Sequence, residues 1–159
     1  MIKNFLLPGF VFALVFLSCG PNLIYNQKFE IPESQWAYAD TLDFNFNIPD
    51  TTSIYNIFLE VTHSTEFSKQ NFYVLIHTQF PSGDRIREQV SLELSNQAGF
   101  WFGDCGSESC TLSIPLQEGA YFNQPGDYKI TIEQYSRNPK LEGINSLALK
   151  IEETSNKRE

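Results

Sequence analysis

The chain has 159 residues, which suits one domain and leaves little room for a second, because single cores usually cover about 100 to 200 residues. It is 42% hydrophobic and 14% aromatic, with 14 Phe, 7 Tyr and 2 Trp to fill a core, a composition that excludes a disordered chain. Nineteen acidic residues outnumber 11 Lys and Arg for a net charge of −8, with no basic cluster, so the surface repels phosphate backbones and no nucleic acid partner is expected.

Lys3 opens the chain as a positive leader, and Phe5 to Leu17 is an apolar stretch interrupted by Pro8 and Gly9. Those 13 residues are too few to span a bilayer, which needs about 20. Small Ser18 then precedes Cys19, where a bacterial lipobox places its acylated thiol; Leu17 stands two places before the cysteine and Phe16 three. Residues 1–18 are therefore expected to be a lipoprotein signal peptide and Cys19 the lipidation site, the alternative being a plain secretory signal with a free cysteine. Three acyl chains on one cysteine give stable anchoring, whereas a single chain binds marginally. No acid follows Cys19 before Glu30, so neither an inner-membrane retention Asp nor an acidic surface-export run is present. The expected location is the outer membrane, lipid-anchored and facing the periplasm.

Residues 19–34 read as a tether with a possible edge strand over Leu23 to Ile31. From residue 36 the apolar period is two. Trp36, Tyr38, Leu42, Phe44, Phe46 and Ile48 fall on one face of a half-buried strand that can bend at Asp40. Tyr55, Ile57, Leu59 and Val61 make a second strand; Phe72, Val74, Ile76 and Phe80 a third; Ile86, Val90, Leu92 and Leu94 a fourth. Cys110 to Leu116, Tyr128 to Ile132 and Leu147 to Ile151 supply three more, and Pro, Gly and Asp turns such as Pro125-Gly126-Asp127 separate them. No stretch carries a helical stripe. About seven or eight short strands at this spacing predict an all-β antiparallel sandwich over 35–152, immunoglobulin-like or jelly-roll, with 153–159 as a flexible tail. Tyr128, just after Pro-Gly, stands at the tyrosine-corner position of such sandwiches or is a plain core tyrosine.

With Cys19 assigned to lipid, Cys105 and Cys110 remain as an even pair in an oxidising compartment and are expected to form a local disulfide across a flexible Gly-Ser-Glu-Ser turn. The competing reading is a zinc site completed by His63 and His77, but neither histidine sits in a paired H-x3-H arrangement. No cofactor or metal is expected. No catalytic motif is present: there is no G-x-S-x-G, no H-E-x-x-H and no phosphate-cradling loop. Acid pairs such as Asp40 with Asp43 sit in solvated contexts, and the expectation is a protein without enzymatic activity.

The most unusual local feature is Gly99-Phe100-Trp101-Phe102-Gly103. Alternation puts Phe100 and Phe102 on one face and Trp101 on the other, so the three cannot all enter one core. Either one side packs the sandwich under cover of a neighbouring loop, or an aromatic is exposed for a partner or a sugar ring.

Taken in order, Trp36, the Phe44 and Phe46 pair, Asp50-Thr51, Tyr55-Asn56, Asn71-Phe72-Tyr73, Pro81 with Gly83, and Trp101 between Gly99 and Gly103 resemble the gliding-motility lipoprotein GldH family of the Bacteroidota. The resemblance continues through Gly126 with Tyr128, Glu133-Gln134 with Arg137, Leu141 with Gly143-Ile144, and Leu149 with Ile151-Glu152. Two features depart from it: Thr62-His63 stands where the family tends to have Arg, and the Cys105/Cys110 pair is not a family feature. The resemblance implies a non-catalytic envelope lipoprotein, an accessory or scaffold component of gliding motility and the associated type IX secretion machinery, with other envelope lipoproteins or motility proteins as partners. The alternative is a periplasmic glycan- or peptidoglycan-binding module. Exposed aromatics aligned on a concave sheet face would mark the glycan binder, and an apolar patch rimmed by polar residues the scaffold.

Overall fold

The computed structural model describes residues 22–158; Cys19 and the signal segment lie outside the described residues. Where polar and apolar residues alternate, the chain pairs into antiparallel strands: β1 (Asn22–Glu30), β2 (Gln35–Ala37), β3 (Leu42–Ile48), β4 (Ser53–Ser64), β5 (Asn71–Gln79), β6 (Arg85–Glu93), β7 (Asp104–Cys105), β8 (Ser109–Ala120), β9 (Gly126–Gln134), β10 (Lys140–Glu142) and β11 (Ile144–Lys157). They form a five-stranded sheet in the order β1-β11-β4-β8-β7, a four-stranded sheet in the order β3-β9-β5-β6, and a small ribbon of β10 with β2. The two large sheets pack face to face as an all-β sandwich.

Strict alternation on β4 sends Tyr55, Ile57, Leu59 and Val61 inward, and on β9 Tyr128, Ile130 and Ile132 meet them from the other sheet. Aromatic rings bridge the layers: Phe29 lies edge-on to Phe44 at 5.0 Å, and Tyr25 lies 5.5 Å from Phe46. Burial of such side chains contributes roughly 1.5 to 3 kcal/mol each and is the main force closing the sandwich. The Tyr128 hydroxyl donates to the carbonyl of Gln124, four residues upstream, which is the tyrosine-corner arrangement.

Several local expectations are corrected. The segment from Trp36 to Ile48 is not one strand: Asp40 N–H bonds back to Ala37 O at 3.1 Å and the Trp36 indole donates to Asp40 O at 2.6 Å, folding a turn. That turn sends β2 to the ribbon and β3 to the four-stranded sheet, and it leaves Trp36 buried while Tyr38 faces solvent. Ile86 is also exposed, because both faces of β6 are open from Arg85 to Gln89. The possible edge strand over Leu23 to Ile31 is present as β1, at the edge of the five-stranded sheet and paired with β11, whereas the expected tail instead continues β11 to Lys157. The Lys157 ammonium there donates to Ser53 Oγ at 2.6 Å and to Glu153 at 2.9 Å, tying the end of β11 to β4.

The strand directions define two poles. One pole carries the start of β1, the Asp50–Ser53 turn, the end of β8 and the end of β11. The opposite pole carries the end of β4, the Phe67 loop, the segment after β6 and the β7–β8 hairpin. The 12 residues of β4 separate them by roughly 40 Å at about 3.3 Å per residue.

Candidate functional site: an aromatic pole backed by a buried histidine

After β6 the chain leaves the sheet and is folded by Asn96. Its side-chain oxygen accepts from the amides of Ala98 (2.9 Å) and Phe100 (3.0 Å), while its own N–H donates to the carbonyl of Phe100. Ser95 bridges Trp101, and Phe102 N–H donates to Leu94 O at 2.8 Å, so alternation within Phe100 to Phe102 holds as the sequence implies. Trp101 turns inward and is partly buried. Phe100 and Phe102 turn outward, at 72% and 42% exposure.

Gly103 makes this register possible. Its φ is +80°, and a Cβ there would stand 2.2 Å from Thr111 O and 2.6 Å from Leu112 Cβ. Only glycine lets the backbone lie that close to β8 while adopting a left-handed conformation.

Beneath Trp101 is His63, on the inward face of β4 and fully buried. The rings meet edge to face at 4.6 Å, with Phe67 on another side at 5.9 Å. Nδ1 of His63 donates to the Ser64 carbonyl at 2.8 Å, which leaves Nε2 as the bare nitrogen, buried without a hydrogen-bond partner. Burial pushes its pKa below 6.5 against a smaller opposing pull from the Ser64 carbonyl, so the ring is neutral. Trp101 caps it, and the indole N–H reaches Thr65 O at 3.2 Å.

Cys105 and Cys110 are bonded to each other, closing the β7–β8 hairpin. Cys110 is buried and stands opposite His63 in the β4–β8 register. The hairpin loop is docked on the same corner, with Thr65 N–H donating to Glu108 O at 3.0 Å. The zinc alternative required both thiols, and the disulfide occupies them; His77 lies on the other sheet. There its Nε2 stands 3.4 Å from the Glu133 carboxylate. Its register neighbour Thr131 donates its hydroxyl to Asp43 at 2.5 Å.

The pole therefore presents two exposed phenylalanines on a hydrogen-bonded backbone, with a buried aromatic-histidine stack and a crosslinked hairpin behind them. Trp101 supports that surface from within. Near this pole sequence reasoning overlooked a second aromatic set: Tyr73 on β5 and Tyr135 just after β9 are both exposed and adjacent, with Tyr135 N–H donating to Tyr73 O at 2.8 Å. The available signal was an aromatic on the polar side of the Phe72/Val74 alternation.

Comparison with known proteins agrees with the resemblance. The family model described as GldH lipoprotein matches residues 23–151. A gliding motility lipoprotein GldH homolog of Christiangramia forsetii is 24% identical over 155 residues, covering 92% of this chain and 94% of the relative. The gliding motility lipoprotein GldH of Flavobacterium johnsoniae is 22% identical over 148 residues, covering 89% and 91%. Among solved structures, tripeptidyl peptidase 2 aligns with a TM-score of 0.42 and 11% identity, covering 80% of this chain and 10% of that one. With the GldH model extending over nearly all of the sandwich, the chain belongs to the GldH lipoprotein family, which is linked to gliding motility.

Proposed function

We propose that the protein is a non-catalytic accessory or scaffold component of gliding motility and the associated type IX secretion machinery. In this reading it is held by lipid on Cys19 at the periplasmic face of the outer membrane and contacts another envelope protein through Phe100 and Phe102. The observation that carries it is where those two rings sit. Only Gly20 and Pro21 stand between Cys19 and the start of β1, so an anchor at Cys19 lies within about 10 Å of that pole. Phe100 and Phe102 are exposed at the opposite pole, roughly 40 Å away by the length of β4. Large aromatic side chains are typical interface anchors.

Two further observations support the absence of catalysis. His63 is buried beneath the Trp101 ring, and the Thr131 hydroxyl next to His77 is committed to Asp43. The direct test is Phe100→Ser with Phe102→Ser in the native organism. The double variant should keep wild-type abundance and melting temperature yet lose motility and secretion. Normal gliding with normal secretion in that strain would refute the assignment.

A further inference from the structure

Six basic side chains in the described residues make no ion pair, and four of them, Lys69, Arg85, Arg87 and Arg137, lie on or beside the β3-β9-β5-β6 sheet. In a protein of net charge −8, where Lys28, Lys129, Lys150 and Lys157 are all paired with carboxylates, that concentration is unusual. Two of the four meet the overlooked tyrosines. Lys69, Asn71, Tyr73, Tyr135, Arg137 and Asn138 line an open groove of about 220 Å³, and buried Phe72 supports its floor.

The groove is built rather than incidental. Tyr73 and Tyr135 are cross-strand neighbours at 42% and 50% exposure, on the outer side of strands whose inner side is core. The loop that presents Arg137 is shaped by Gln134, itself buried. Its amide oxygen accepts from Ser136 N–H at 2.9 Å, and its amide nitrogen donates to Asn138 O at 3.3 Å. The Tyr38 hydroxyl ties the same loop from outside by donating to Ser136 O at 2.5 Å. Arg137 is thus held on a braced turn with no carboxylate partner.

We propose that this groove binds an acidic glycan, a saccharide whose ring packs on Tyr73 and Tyr135 and whose carboxylate is taken by Arg137 and Lys69. Phenol rings fixed on a sheet give apolar faces for the C–H side of a pyranose while their hydroxyls stay wet. Asn71 and Asn138 supply amide donors and acceptors for sugar hydroxyls, and unpaired guanidinium and ammonium groups match a carboxylate. A neutral glycan would leave both cations unused. The groove opens near the pole opposite the start of β1 and is lined by neither Phe100 nor Phe102, and binding of a polysaccharide is read without any protein partner, so it stands or fails independently of the protein contact proposed above.

The test uses the full chain in mild detergent, run by native affinity electrophoresis in gels containing alginate, a polyuronate, or dextran, which is neutral. Alginate should retard the protein and dextran should not. Tyr135→Ala and Arg137→Gln should each weaken the alginate effect about tenfold, the loss expected when a charged hydrogen bond or a stacked ring is removed. Arg85→Gln, an unpaired cation outside the groove, should leave retardation unchanged. Unchanged melting temperatures keep the variants interpretable. Co-sedimentation with purified peptidoglycan sacculi distinguishes the sources: retention assigns the carboxylates of the cell wall, and alginate retardation without retention assigns a soluble acidic polysaccharide. No retardation by alginate, equal loss on Arg85→Gln, or loss of a cross-linked protein partner on Tyr135→Ala with alginate mobility unchanged would each overturn the proposal.

Discussion

Replacing Trp101 by Ala removes the lid of His63 without touching the exposed phenylalanines. Deleting a fully buried Trp or Phe costs about 3 to 5 kcal/mol. Trp101 keeps part of its ring in solvent, so the expected loss is about 2 to 3 kcal/mol. The Thr65 carbonyl that receives the indole N–H sits in the part-buried corner and regains water once the indole is gone, which limits any further penalty. For a domain of this size an m-value of roughly 2 kcal/mol per molar urea puts the midpoint about 1 to 1.5 M lower. Urea denaturation followed by circular dichroism gives that number, with Phe100→Ser as the matched control. The control should move the midpoint by less than about 0.3 M, because exposed substitutions fall within ±0.5 kcal/mol. A Trp101→Ala protein with a wild-type midpoint would refute the claim that the indole is structural support. A Phe100→Ser protein as unstable as Trp101→Ala would refute the assignment of inward and outward faces.

Three other outcomes follow from the same corner. Gly103→Ala should destabilise by about 3 kcal/mol or more, since the new Cβ meets the Thr111 carbonyl and φ stays left-handed; a midpoint within error of wild type would contradict the close approach. Removing the disulfide by Cys105→Ser with Cys110→Ser should cost about 2 kcal/mol from so short a loop, lowering the melting temperature while leaving the sandwich folded, and intact mass of the wild type should rise by two hydrogen atoms on reduction. His63 takes a proton more readily unfolded than folded, so its contribution is complete above about pH 6.5 and is lost as pH falls below that value. Asp50 and Glu153 are held below 3.8 and 4.5, chiefly by the Thr52 backbone amide and the Ser53 hydroxyl respectively, so their contributions fade only in more acidic solution. Melting temperature should therefore drop between pH 7 and pH 5 in the wild type and stay flatter in His63→Leu; parallel curves would exclude His63 as the cause.

Strands with one solvent face were legible from sequence because burial on one side imposes a period of two. That applies to β4, β9 and the middle of β11, where Leu59, Ile130 and Leu149 sit where alternation places them. The bend at Asp40 was legible, but not that it parts β2 from β3 into different sheets, since the apolar parity continues across it and the turn is made by Asp40 N–H and the Trp36 indole. The short ladders of β2, β7 and β10 carry two or three residues each, too few for any period. Glu153 to Lys157 reads as a charged tail, and its place in the sheet depends on a pairing with Ser53 a hundred residues away. At the aromatic pole, alternation separated Trp101 from its neighbours but could not say which side met the core. His63 beneath the indole decided that, and nothing local to Gly99–Gly103 announces it. The tyrosine groove needed tertiary information too, because Tyr73 and Tyr135 lie far apart in sequence and meet only through the β5–β9 register.

If the pole bearing Phe100 contacts a protein and the pole bearing the start of β1 is held toward the membrane, a photoactive residue should crosslink to protein at the first pole and not at the second. In-cell photocrosslinking with a benzophenone amino acid at position 100, set against the same probe at exposed Tyr121 on the other pole, reads that arrangement. A discrete protein adduct is expected at position 100 that disappears on Phe102→Ser, with no such adduct at position 121. Discrete protein adducts at position 121 with none at position 100 would contradict it.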